Sequence, residues 1–204
     1  MAIETEIEQH IDGRTARAVR TRLAIVDACL DLIDEGDLRP TGPRIAERAG
    51  VSVRSVFQHF DDLDALFLAV GERVVTRIAA MIHRIDPAAP LDQRTGELVA
   101  QRSDVLEALS PVLRAALLQA ASSEVIFDQF QAGQEFMVAQ IEEVFAPELA
   151  GSARPGPLRD ALVVAMSWTT WDQLRVPLGR SIDEARDTVA WMVRSALEAA
   201  ARLP

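Results

Sequence analysis

An all-α fold is expected from three observations. Hydrophobic residues make up 49% of the chain while aromatics make up only 5% and Tyr is absent, a balance that favours helices over a sheet of aromatic and β-branched side chains. Apolar residues recur at steps of three and four over long stretches, the signature of helices with one buried face. The breaks between those stretches carry helix punctuation, among them Gly36, Gly50, Pro87, Pro90, Pro177 and Gly179. A length of 204 residues suffices for one large domain or for a small domain attached to a bigger one.

The first helix is set by Val19, Leu23, Val26, Leu30 and Ile33, with Arg20, Asp27, Asp31 and Asp34 on the opposite face, and it stops at Gly36. Thr41 is placed to cap a short second helix with Pro43 in its first turn and Ile45 to Ala49 as its body, ended by Gly50. Ser52 caps a third helix that runs to about Phe60. Asp61 with Asp64 resembles a capping box for a longer fourth helix, whose stripe Leu66, Val70, Val74, Ile78, Met81 and Ile85 ends at Asp86-Pro87. Further helices are expected near 91–108, 111–121, 123–145, 156–175 and 182–202. Ser110-Pro111 reads as a cap followed by a first-turn proline, Pro147 to Pro157 as a loop, and Ser181 to Glu184 as a capping box. The total is about nine helices. Residues 1–12, with Glu4, Glu6, Glu8 and Asp12, read as an acidic leader expected to be disordered.

The longest uncharged apolar run, around Ala161 to Thr170, is far short of the roughly 20 residues a bilayer-spanning helix needs. With an acidic rather than a signal-like N-terminus, no membrane partner and a cytoplasmic location are expected. Cys29 is the only cysteine and sits on an apolar stripe, so core packing is its default role. His10, His59 and His83 show no metal-ligand spacing, and no metal or cofactor is expected. Asp61-Asp62-Leu63-Asp64 superficially resembles a magnesium cluster but lacks a second acidic motif, and Ser122, Ser123 and Ser167 lack nucleophile-elbow glycines. An enzyme is not expected. The net charge of −10 argues at first against nucleic acid, yet residues 13–60 hold eight Arg against six acids while residues 61–204 hold 13 Arg against 21. A weakly basic N-terminal module on an acidic body remains compatible with DNA.

The informative stretch is Ile45-Ala46-Glu47-Arg48-Ala49-Gly50-Val51-Ser52-Val53-Arg54-Ser55-Val56-Phe57. Two short helices crossing steeply need a small residue where they touch, a glycine at the turn and apolar residues locking the second helix onto the first. Ala46, Gly50, Val51 and Val56 supply these at the right spacings. This stretch, with Thr41 to Arg44 before it and Phe57-Gln58-His59-Phe60 after it, resembles the DNA-binding domain of the TetR family, over roughly the first third of the chain.

The resemblance implies a three-helix N-terminal domain (residues 13–60) whose third helix enters the major groove of double-stranded operator DNA. It also implies a homodimer and a helical C-terminal bundle (residues 61–204) in which an unidentified small molecule binds and reduces DNA affinity. Carried over, Thr41 and Ser52 match hydroxyls that cap helices and touch phosphates, and Arg44 matches a backbone-contacting position. Val53, Arg54, Ser55 and Gln58 fall where bases are read; Arg54 suits guanine, with a phosphate clamp as the other reading. Phe57 and His59 complete the DNA-binding set. Phe57 stands where the family usually has a phosphate-bonding Tyr, and Leu63 where it usually has a Lys. Arg14, Arg17, Arg20 and Arg22 form either a compensating basic arm or a solvated helix face.

In the bundle, Phe127, Phe130, Met137, Met166 and Trp168 are candidates to line a ligand cavity, with core packing as the alternative. Dimerisation is expected through the last two helices. Their apolar stripes are Leu162, Val163 and Met166 on one, and Val189, Met192, Val193, Ala196 and Ala200 on the other. A ligand-independent DNA-binding regulator is the alternative function.

Overall fold

The structure, a computed structural model, describes residues 13–120 and 123–202; the acidic leader at residues 1–12 lies outside them, as do Ala121 and Ser122. Among the described residues the chain forms ten helices and no strand. It divides into two compact units, Met1–Arg73 and Val74–Pro204. No helix among the described residues is long and apolar enough to cross a membrane.

The first unit contains α1 (Gly13–Asp34), α2 (Gly42–Ala49), α3 (Val53–His59) and the start of α4 (Leu63–Ala79). Helix α1 begins earlier than its apolar stripe suggests, and the stripe is buried only from Ile25 onward; Val19 and Leu23 are exposed. The buried half packs on α2 and α3 through Ile25, Cys29 and Ile33 against Ile45, Ala46 and Val56. Burial, with a smaller effect from the nearby Asp37, pushes the Cys29 thiol up to about 12, so it stays protonated as a packing group. Helix α4 is capped by Asp62, not Asp61: its Oδ1 accepts from the Ala65 amide at 2.8 Å. The helix also stops at Ala79, before the end of the expected stripe, although Ile85 is still buried.

The second unit contains α5 (Leu91–Ala120), α6 (Glu124–Val144), α7 (Ala146–Gly151), α8 (Pro155–Ala165), α9 (Trp168–Arg175) and α10 (Ile182–Arg202). Its core gathers Leu98, Ile141, Phe145, Leu162, Trp171 and Val193 from five of these helices and the α6–α7 junction. Three boundaries depart from the sequence reading. Ser110-Pro111 does not start a helix but lies inside α5. The Ser110 hydroxyl donates back to the Leu106 carbonyl at 2.7 Å and accepts from Trp168 Nε1 at 3.2 Å, so it is a buried link rather than a cap. The expected helix at 156–175 is two, because Ser167 caps α9 by accepting from the Thr170 amide at 3.2 Å. The loop after Pro147 contains the short α7. By contrast, the Ser181–Glu184 capping box is reciprocal, with the Ser181 amide on Glu184 Oε2 at 2.8 Å and the Glu184 amide on Ser181 Oγ at 3.2 Å.

Candidate nucleic-acid interface

The turn between α2 and α3 follows from three residues. Gly50 takes the left-handed conformation at φ 67°, and the Val51 amide returns to the Ala46 carbonyl at 3.0 Å, closing α2. Ser52 then starts α3 by accepting from the Ser55 amide at 3.1 Å. Val56 is the only buried residue of α3 and anchors it on α2. Gly42 lets α2 approach α3 closely, since a Cβ there would stand 3.2 Å from the Phe57 ring.

This anchoring turns Val53, Arg54, Phe57 and Gln58 outward as one face, one turn apart in pairs, while Ser55 and His59 are half-buried. Phe57 is 45% exposed in spite of its contact with Gly42. Thr41 holds the N-cap position of α2, but its side chain accepts no capping hydrogen bond, and the residue is exposed.

Most of the arginines around this face are engaged. Arg44 pairs with Asp37 at 2.6 Å and Arg73 with Asp27 at 3.1 Å. Arg48 makes two bonds to Glu35, at 2.9 and 2.5 Å, which hold the Glu35 carboxyl below its ordinary range. Arg54 has no ion-pair partner among the described residues. Of the basic arm, Arg22 donates to the His59 carbonyl at 2.9 Å and stacks on the Phe60 ring at 4.1 Å. It thereby fastens the end of α3 to α1. Neither this lock nor the role of Gly42 has a signal in the sequence, because both partners lie far along the chain.

The second-unit candidates separate. Met137, Met166 and Trp168 share one buried core, while Phe127 is exposed and Phe130 half-buried, so the five do not line a common cavity. An open depression of about 290 Å³ lies on α6 instead, lined by Gln131, Gln134, Glu135, Val138, Ala139 and Glu142. Of the residues expected at a dimer interface, Leu162, Met166, Val189 and Val193 are buried inside the protomer, because α8 and α10 pack against each other there. Val163, Met192, Ala196 and Ala200 are partly buried against the same core. The large apolar groups most exposed on these helices are Val164, 63% exposed, and Trp191, 68% exposed, with Ile182 at the start of α10 less so.

A three-helix unit whose second and third helices meet at a glycine turn, with Arg54 and Gln58 beside Val53 and Phe57 on the outer face of the third, has the form of a helix-turn-helix. Residues 25–70 match the family model described as bacterial regulatory proteins, tetR family. The match covers the helix-turn-helix segment, so residues 25–70 form a TetR-family DNA-binding domain. Solved structures share the fold of the chain. A transcriptional regulator from Rhodococcus sp. Rha1 superposes with a TM-score of 0.68 at 17% identity, covering 92% of this chain and 99% of that one. A TetR transcription regulator from Haloarcula marismortui gives 0.63 at 21% identity, covering 89% and 98%. The multidrug binding protein EbrR, complexed with imidazole, gives 0.58 at 19% identity, covering 84% and 93%. No curated protein matches the sequence significantly.

Proposed function

We propose that the chain is a homodimeric cytoplasmic repressor that holds operator DNA through α3 and is released by a small apolar or amphipathic molecule bound in its C-terminal part. The observation that carries the DNA half is the outward face of α3, where Val53, Arg54, Phe57 and Gln58 stand together with Arg54 unpaired among the described residues. Arg54 is assigned to guanine and Gln58 to adenine, with Val53 and Phe57 suited to thymine methyls. Thr41, Arg44, Ser52 and His59 are assigned to the phosphate backbone and the groove edge, where they position α3, and Ser55, expected among the base readers, joins them because it is half-buried. In a dimer, two such helices about 34–36 Å apart would enter successive major grooves.

Pairing through α8 and α10 is supported by the exposure of Val164 and Trp191, which would be covered in a four-helix interface. The sensing part is taken as residues 61–204 and the reading part as residues 13–60. Helix α4 supports coupling between them, since it starts four residues after α3 and is continuous from Leu63 to Ala79. The description of EbrR as a multidrug binding protein supports a ligand for this fold as well. Close packing of Met137, Met166 and Trp168 favours a second reading, a regulator without a ligand.

A gel shift with the DNA upstream of the chain's own coding sequence tests the first half. Retardation is expected there and not on unrelated DNA, with light scattering giving twice 22.3 kDa. Titration of apolar compounds into that complex tests the second, with operator affinity dropping roughly 5- to 150-fold at saturation for a typical coupling. A 22.3 kDa particle without sequence-selective binding would refute the proposal.

A further inference from the structure

Six of the eight buried polar side chains among the described residues lie on α5: Arg94, Thr95, Gln101, Arg102, Ser103 and Ser110. Four are accounted for. Arg94 donates to Glu148 at 2.7 and 3.0 Å and to the Val144 carbonyl. Gln101 accepts from the His83 amide at 2.7 Å, and the hydroxyls of Ser103 and Ser110 bond the carbonyls one turn back. Thr95 Oγ1 and Arg102 Nε are left without a partner.

Arg102 is the anomaly. It is 8% exposed, donates through Nη2 to Gln140 Oε1 on α6, and makes no ion pair among the described residues. The other buried or half-buried arginines of this unit face carboxylates: Arg94 with Glu148, Arg114 with Asp172, Arg175 with Glu107 and Arg186 with Asp104. Burial pulls the Arg102 guanidinium down to about 10, with no carboxylate to offset it, yet leaves it charged at neutral pH. A buried cation held by one neutral amide is a costly arrangement, and buried charges are ordinarily paired.

We propose that Arg102 anchors the carboxylate of an organic acid with an apolar body, bound between α5 and α6. Its regulatory meaning rests on the reading of this part of the chain as the sensing domain. The Nε and Nη2 edge of a guanidinium offers two parallel N–H groups in the geometry of a carboxylate; Nε is unused, and Nη2, which carries two N–H groups, would share with or exchange its bond to Gln140. An acid would supply the missing counter-charge where the chain, at a net −10, repels anions from a distance. Leu98 and Leu106 on α5 and Met137 and Ile141 on α6 are the apolar surroundings for its body. Met137, unbranched and soft, is the side chain best able to give way. Thr95 is seven residues from Arg102 and so on the same face of α5, about 10.5 Å along the axis, within reach of a distal polar group.

The test uses the full chain with octanoate, benzoate, octanamide and inorganic phosphate in thermal-shift and calorimetric titrations, on the wild type and on Arg102→Met and Arg102→Lys. Octanoate or benzoate should raise the melting temperature, whereas octanamide and phosphate should not. Arg102→Met should abolish the rise while melting at the same or a higher temperature without ligand, because a lone buried charge has been removed. Arg102→Lys, which keeps the charge without the fork, should weaken binding on the order of tenfold or more. The proposal falls if neither carboxylate binds, if octanamide binds equally, if phosphate alone binds, or if Arg102→Met retains the rise. Should Arg102→Met fail to fold, undiminished binding by Arg102→Lys overturns it. Carboxylate binding that leaves operator affinity unchanged keeps the Arg102 site and removes the sensor reading; operator release by neutral compounds alone does the reverse.

Discussion

Replacing Arg54 by Ala separates base reading from backbone contact. Arg54 is exposed and unpaired among the described residues, so its loss should change folding stability by no more than about 0.5 kcal/mol. The effect on DNA then reports the contact itself. A bidentate guanine contact discriminates by about 1–3 kcal/mol, roughly 5- to 150-fold per half-site, and a twofold operator carries the contact twice. Arg44 provides the contrast, since it pairs with Asp37 through a mostly exposed guanidinium, a pair worth about 0–1 kcal/mol that a phosphate can displace. In a selection from randomised sites, Arg54→Ala should lose its preference at one or two base pairs per half-site. Arg44→Ala should keep the preference profile, bind all sequences more weakly and lower the salt slope by about 1 per contact. An unchanged profile for Arg54→Ala, with a reduced salt slope, would refute the base-reading assignment and make Arg54 a phosphate clamp.

Trp171→Ala should cost about 3–5 kcal/mol in urea unfolding, since the ring is almost fully buried and its Nε1 donates to Glu107 at 2.9 Å; a loss under 1 kcal/mol would contradict this packing. Gly50→Ala places a side chain at φ 67° and should cost roughly 1–2 kcal/mol in the first unit, read by thermal melting, with DNA affinity falling as α3 loses its seat. Acid should weaken the second unit: hydrogen bonds from Arg94 hold the Glu148 carboxyl below its ordinary value, and hydrogen bonds from Arg175 do the same for Glu107. Stability from these groups is therefore complete above about pH 4.3 and lost as pH falls through their lowered values, so melting temperature should drop there, and by less in Glu148→Gln.

What was legible in the sequence is what local chemistry decides. Gly36 and Gly50 take positive φ, Ser52 caps α3, and the Ser181–Glu184 box closes, because each depends on residues within one turn. Ser110-Pro111 carries the same local signal as a true cap and yet sits inside α5, because Trp168, 58 residues away, engages the hydroxyl that would have capped. Proline there denies the Glu107 carbonyl its helical donor. The Glu107 carboxylate meanwhile ties Trp171 and Arg175 to this turn, so tertiary bonds hold the helix through the defect. The apolar stripes of α8 and α10 are only half legible for a related reason. Periodicity finds a face that wants burial but not the partner that buries it, and Leu162, Met166, Val189 and Val193 are used within the protomer. Their neighbours Val164 and Trp191, off the counted stripe, are left exposed. Arg102 makes the same point in reverse. A charged residue in a helical pattern reads as solvated, and only the packing of α6 over α5 turns it into a buried cation in want of an anion.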